Sequence, residues 1–167
     1  LRGLAGLLDE FLEMARAPVP RLEPTDVVAL IHELLAAQAP VAEAMAVTCR
    51  YVGPPALAVM AEQAKLRQAL LNLFKNALEA MSEGGELGFE VIPAPPANPD
   101  ASEHEAPRVE LRLTDNGPGL DDEMLREAFR PFKTSKHAGT GLGLAIVART
   151  IHAHGGSVTL ENRPEGG

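Results

Sequence analysis

Apolar side chains recur with a helical period in some stretches of this chain and with a period of two in others. Leu1, Leu4, Leu8, Phe11 and Ala15 follow three- and four-residue steps, which predicts a helix over residues 1–16 with one apolar seam. Asp9, Glu10, Glu13 and Arg16 fall off that seam; Gly3 and Gly6 weaken the helix, and Pro18 and Pro20 stop it. Pro18 to Pro24 reads as a stiff linker. Thr25 or Asp26 can then cap a helix through ALIHELLAA, which Pro40 disturbs without ending its packing. Residues 47–52 alternate as a strand, and residues 56–60 offer a second, shorter one. The helical period returns over residues 62–81, with Leu66, Leu70, Leu73, Ala77 and Ala80 as the core face and Ser82, Gly84 and Gly85 as the stop. Residues 87–92 and 109–114 alternate and predict an antiparallel pair. Between them, PAPPANPDASEHEAPR has hardly an apolar side chain to nucleate a core and reads as a long solvated, disordered loop. A short helix or turn is expected at 124–129, a helix at 142–154 closed by Gly155-Gly156, and a further strand from 157 to 162.

The chemistry concentrates in the second half. Asn72 and Asn76 share one helix face at i, i+4. Asparagine is a middling helix former, so the pair needs a reason; hydrogen bonds to nearby backbone are the plain one. Two glycine turns follow, DNGPGL at 115–120 and GTGLGLAIV at 139–147, with FRPFKTSK between them. An Asp before Asn-Gly is ordinary turn chemistry. In this company, however, the Asp115 carboxylate can accept from an exocyclic amine, and bare glycine backbone lets a ligand come close. Amide oxygens can ligate Mg²⁺, and Lys133 and Lys136 precede a glycine-rich helix start suited to phosphates. The set points to ATP. Other glycine-loop families fail by inspection. Leu144 stands where a dinucleotide GxGxxG needs its last glycine, and neither GxxxxGK[ST] nor HRD or DFG occurs.

Charge sharpens this picture. A formal net charge of −8 argues against a nucleic-acid surface. Arg130, Lys133 and Lys136 form a basic island with no acid among them, which suits a small anionic ligand. The single cysteine, Cys49, excludes an internal disulfide and a thiolate zinc cluster, and its alternating neighbourhood reads as a half-buried strand thiol. No apolar run approaches the ~20 residues of a membrane span and no signal peptide is visible. The expectation is a cytoplasmic piece, starting at Leu1 and stopping at Gly167 in mid-motif, of a longer protein that can itself be membrane-bound.

The NLFKNALEA, DNGPGL, FRPFKTSK and GTGLGL blocks, in this order, resemble the N, G1, F and G2 boxes of sensor histidine kinases. Their superfamily also holds gyrase, heat-shock chaperones and mismatch-repair ATPases. The short lid PFKTSKHAGTGLGL is similar to the nitrogen-regulation type. The resemblance implies an α+β fold, a two-layer α/β sandwich whose mixed, mostly antiparallel sheet carries helices on one face, preceded by a short helical segment. It implies that residues 1–20 are the exit from a dimerisation helix and its linker, rather than an amphipathic helix on its own domain. Residues 21–167 would be the catalytic ATP-binding domain, with the last strand missing. Asn76 would ligate Mg²⁺, and Asn72 stands where the chaperone and gyrase relatives carry a water-activating glutamate. An amide is no general base, which fits phosphate transfer to a side chain rather than to water. Asp115 would meet the adenine amine, with Gly117 and Gly119 passing under the base. Phe129 and Phe132 would anchor the lid, and Glu79 would orient the metal or the acceptor helix. Lys133 and Lys136 would reach the phosphates, and Gly139, Thr140, Gly141, Leu142 and Gly143 would form the phosphate-side turn.

The resemblance also implies partners: the protein's own dimerisation and phosphoacceptor domain, a response regulator, and a second copy in the full-length protein. His32-Glu33-Leu34 matches the start of an acceptor box but continues LAAQ and follows the linker. His104, His137, His152 and His154 lie in a loop, a lid and a helix end, so the acceptor is expected upstream of Leu1 and the chain alone should bind ATP without labelling itself. Two other readings compete: a nucleotide-sensing scaffold that has lost phosphotransfer, and a true ATPase or serine-type kinase of the same superfamily.

Overall fold

The computed structural model describes residues 19–95, 108–133 and 140–163. The expected first helix, most of the proline-rich loop, and Lys136, Gly139, His104 and His137 lie outside the described residues. The elements run β1 (Glu23–Asp26), α1 (Val27–Ala44), β2 (Val47–Val52), β3 (Ala58–Ala61), α2 (Gln63–Ala80), β4 (Gly85–Ala94), β5 (Arg108–Asp115), α3 (Asp122–Glu127) and α4 (Gly143–Ala153). One sheet has the order β2-β4-β5, with β2 parallel and β5 antiparallel to β4; β1 and β3 form a separate antiparallel pair. This is the mixed α/β architecture expected.

Asp26, not Thr25, caps α1. Its Oδ1 accepts from the Val28 and Ala29 N–H groups at 3.0 and 3.2 Å and from Leu57 N–H at 3.2 Å. Thr25 is buried and donates to the Ala61 carbonyl at 3.0 Å, across the β1–β3 ladder. The segment read as a stiff linker therefore ends in a strand, because its pairing partner lies 36 residues downstream. α1 continues through Pro40 to Ala44. Its 18 residues and mean hydropathy of 1.3 are enough to cross a membrane by length and composition. Its apolar face, Val27, Val28, Leu30, Ile31 and Leu34, is instead buried in the core.

α2 packs on the sheet through Leu66, Leu70, Phe74, Ala77 and Leu78. Phe74, fully buried, stacks on Phe89 of β4 at a centroid distance of 6.5 Å. The core stripe thus centres on Phe74, while Leu73 and Ala80, expected in it, are only half-buried at its edges. Arg67 pairs with Glu33 and ties α2 to α1. At its start, Glu62 N–H donates to His154 Nε2 at 2.9 Å, and Glu62 Oε2 accepts from Arg21 N–H at 3.1 Å. His154 Nδ1 lies 2.7 Å from the Thr150 carbonyl, an arrangement that suits the tautomer in which Nδ1 donates and Nε2 accepts. His32, set aside as an acceptor, lies against Tyr51 with ring centroids 4.6 Å apart.

One expected strand is absent. Residues 157–163 form no ladder, although their polar–apolar alternation suits one. Among the described residues this segment finds no pairing strand, and Asn162 bonds Leu120. Cys49 is half-buried as expected, and burial pushes its thiol pKa up.

Asp26 gives a pH prediction. The Leu57 N–H, and then those of Ala29 and Val28, hold its carboxyl below the ordinary pKa of an aspartate. A depressed folded pKa stabilises above the unfolded pKa and the gain is lost as pH falls through the folded value. Asp26→Ala should cost about 1–2 kcal/mol near pH 7, and the gap to wild type should shrink as the pH drops below about 4. Urea melts across that range check it; a gap independent of pH would mean that the charge of Asp26 contributes nothing.

Candidate functional site

α2 organises the site because it has two working faces. Phe74 faces the sheet. Asn72 and Asn76, two positions to either side, project about 200° away from it in opposite senses, so both emerge on the far side. There they meet the start of α4. A Cβ added at Gly143 would lie 3.6 Å from Asn76 Nδ2 and 3.9 Å from Asn72 Cβ. Asn72 is buried; Gln68 Nε2 donates to its Oδ1 over a long 3.4 Å, and its Nδ2 donates to the Gly143 carbonyl over 3.5 Å. The amide fits where a carboxylate would not, since a carboxylate only accepts and would face that carbonyl oxygen.

One further turn along, Ala80 supports the first glycine turn. A Cβ at Gly117 would come within 2.8 Å of Asp115 Oδ1 and 3.1 Å of Ala80 Cβ, so glycine lets the turn lie against the end of α2 without displacing the Asp115 carboxylate. Asp115 closes β5, and its Oδ1 accepts from Gly117 N–H at 2.9 Å. The turn chemistry foreseen as the plain alternative is therefore present at Asp115. Asn116 Oδ1 takes Glu86 N–H at 2.9 Å, and Gly119 carries φ +73°. Residues 72, 76, 80, 115, 117 and 143 thus converge along one helix.

The second glycine turn starts α4. Leu142 is fully buried and stands at the N-cap without a capping hydrogen bond from its side chain, and Leu142 N–H donates to Thr140 Oγ1 at 3.3 Å. The first-turn N–H groups of α4 point out from the start of the helix with its positive dipole end. Gly141 has φ +67°, and a Cβ there would meet the Phe132 and Lys133 backbone at 2.6–2.9 Å. Phe132 N–H bonds the Gly141 carbonyl at 2.9 Å, closing the stem of the lid. Gly143 differs from the expectation. It lies in the first helical turn with room for a Cβ, so its place there is not forced by space.

Two expectations on the lid side are corrected. Phe132 is 62% exposed with φ 64°, so only Phe129, half-buried, can serve as an apolar anchor. The basic residues also have an acidic partner: Glu127 pairs with Lys133 and, at 2.7 Å, with Arg130. The acid lies three residues before Arg130, at the end of α3, and the following turn brings Lys133 back to it. The Lys133 hydrogen bond, and then the cations around it, hold the Glu127 carboxyl below its ordinary pKa. Two residues escaped the sequence reading, Glu127 and Asn162. Only the i, i+3 spacing of Glu127 and Arg130 carried a signal.

Asn72→Asp should lower stability by about 1–3 kcal/mol by burying a carboxylate against the Gly143 carbonyl. Chemical denaturation reads the loss. An unchanged midpoint would remove Asn72 from the α2–α4 contact.

The family described as histidine kinase-, DNA gyrase B-, and HSP90-like ATPase matches residues 61–167. The nitrogen regulation protein NtrY of Azorhizobium caulinodans is 32% identical over 96% of this chain and 20% of its own length. The sensor histidine kinase ZraS of Klebsiella oxytoca is 30% identical over 95% of this chain and 32% of its own. Full-length ShkA in complex with AMPPNP has the same fold, with a TM-score of 0.73 at 28% identity over 91% of this chain and 31% of that one. The chain spans about a third or less of the length of these relatives. It belongs to the histidine kinase-, DNA gyrase B- and HSP90-like ATPase family, as a homologue of the sensor histidine kinases.

Proposed function

We propose that residues 21–167 are the catalytic ATP-binding domain of a sensor histidine kinase, and that residues 1–20 lead out of its dimerisation helix. The observation that carries this reading is the shared face of α2, where Asn72 and Asn76 meet the start of α4 and Ala80 backs the Asp115–Gly117 turn. The AMPPNP in the ShkA complex supports a nucleotide as the ligand. In this reading Asp115 accepts from the adenine amine, with Gly117 and Gly119 beneath the base. The first-turn N–H groups of α4, from the turn Gly139, Thr140, Gly141, Leu142 and Gly143, face the phosphates, and Lys133 and Lys136 add charge. Among the described residues no group of three His, Cys, Asp or Glu is arranged to hold a metal. Mg²⁺ would thus rest on phosphate oxygens, with the Asn76 amide oxygen as its protein ligand, and would neutralise their charge.

The phosphoryl acceptor is then a histidine nitrogen outside residues 1–167, and an aspartate of a response regulator receives the group next. A second copy of the chain completes the full-length enzyme, whose kinase part is cytoplasmic. Asn72 supports transfer over hydrolysis, because an amide donating toward the Gly143 carbonyl offers no base to a water molecule. The chain should bind ATP, release no phosphate steadily, and gain label only when the upstream domain is present. Steady phosphate release would make it an ATPase. Binding without transfer to an intact upstream domain would make it a nucleotide-sensing scaffold.

Asp115→Asn should weaken ATP binding about tenfold to more than a hundredfold, since an amide can turn an NH₂ toward the base amine. Titration calorimetry measures it, and unchanged affinity takes Asp115 out of the site. Asn76→Ala should depress binding strongly in Mg²⁺ and much less in EDTA. Equal losses in both would make Asn76 a structural residue rather than a metal ligand.

A further inference from the structure

We propose that Asn162 is a positioning residue of the nucleotide site: its side-chain amide fixes the far end of the turn that carries Asp115. The inference rests on the nucleotide reading given above. Leu120 N–H donates to Asn162 Oδ1 at 2.9 Å, and Asn162 Nδ2 donates to the Leu120 carbonyl at 2.6 Å. One side chain thereby satisfies both polar groups of one residue, as a paired backbone would in a ladder.

This contact holds the end of the turn, which its other anchors do not reach. Asp115 Oδ1 with Gly117 N–H, and Asn116 Oδ1 with Glu86 N–H, hold only its beginning. Pro118 then contributes no N–H, and Gly119 is at φ +73°, so the next fixed point is Leu120. Immediately beyond it, Asp121 caps α3 by accepting from Met124 N–H at 2.7 Å. α3 ends at Glu127, which holds Lys133. Asn162 therefore sets the base-side turn and, through α3, the root of the lid from a single point outside both.

Asn162→Ala should weaken ATP binding by about three- to tenfold and lower the preference for ATP over GTP. Its melting temperature should change little, because the two hydrogen bonds are exposed and Leu120 is only half-buried, outside the core. Asn162→Asp, which keeps the acceptor and turns a carboxylate toward the Leu120 carbonyl, should do at least as much harm. In the wild-type chain the Leu120 amide should exchange with solvent well below its unprotected rate. A lowered melting temperature with unchanged ATP affinity and ATP:GTP ratio would make Asn162 merely structural and overturn the proposal. So would free exchange of the Leu120 amide, which needs no variant to fold. Asp115→Asn is measured alongside. If Asp115→Asn loses affinity and Asn162→Ala does not, this inference alone fails; if the wild-type chain binds no ATP, the nucleotide reading fails first.

Discussion

The stacking of Phe74 on Phe89 is the contact on which the rest depends. A helix packed by one large side chain has its rotation fixed, and every other residue on it then has an assigned direction. For α2 the direction opposite Phe74 belongs to Asn72 and Asn76. Had the core stripe centred on Leu73, as periodicity alone suggests, the asparagines would have turned by about 100° and missed the start of α4. The core therefore aims the polar pair, and hydrophobic packing and site geometry are one constraint.

Around that spine polar side chains stand in for backbone partners. Asn116, Asp121 and Asn162 near the site, and Asp26 at the start of α1, each accept a main-chain N–H that secondary structure leaves unpaired. Such groups suit turns, where the backbone cannot pair with itself. Among the described residues no buried side-chain nitrogen or oxygen lacks a partner.

Much of this was legible in the sequence, and the gaps have a common cause. The helices α2 and α4 and the β4–β5 pair were readable because period, caps and glycine stops are local. Asn72, Asn76, Asp115, Gly117, Gly141 and Gly143 were readable because their blocks keep a recognisable order. The structure brings Asn72, Asn76, Asp115, Gly117 and Gly143 to one helix face, while Gly141 lies against the Phe132–Lys133 backbone. What was not legible is long-range. β1 looked like a linker because its partner is β3, and residues 157–162, which alternate like a strand, form no ladder among the described residues. Glu127 was missed because charge counted between Arg130 and Lys136 ignores the turn of helix just before them.

Glu62 has a consequence for the order in which the chain is made. Its N–H is capped by His154, 92 residues later, while its carboxylate takes Arg21 N–H from 41 residues earlier. A ribosome releases the N-terminal segment, α1 and all of α2 long before residue 154 exists. Until then the first turn of α2 lacks its partner, and Gly143, which faces the asparagines, has not been made. The nascent chain can form helices but cannot finish this domain piecemeal. Its completion waits for the last helix, which makes folding late and concerted, as expected where contacts of high sequence separation close the structure.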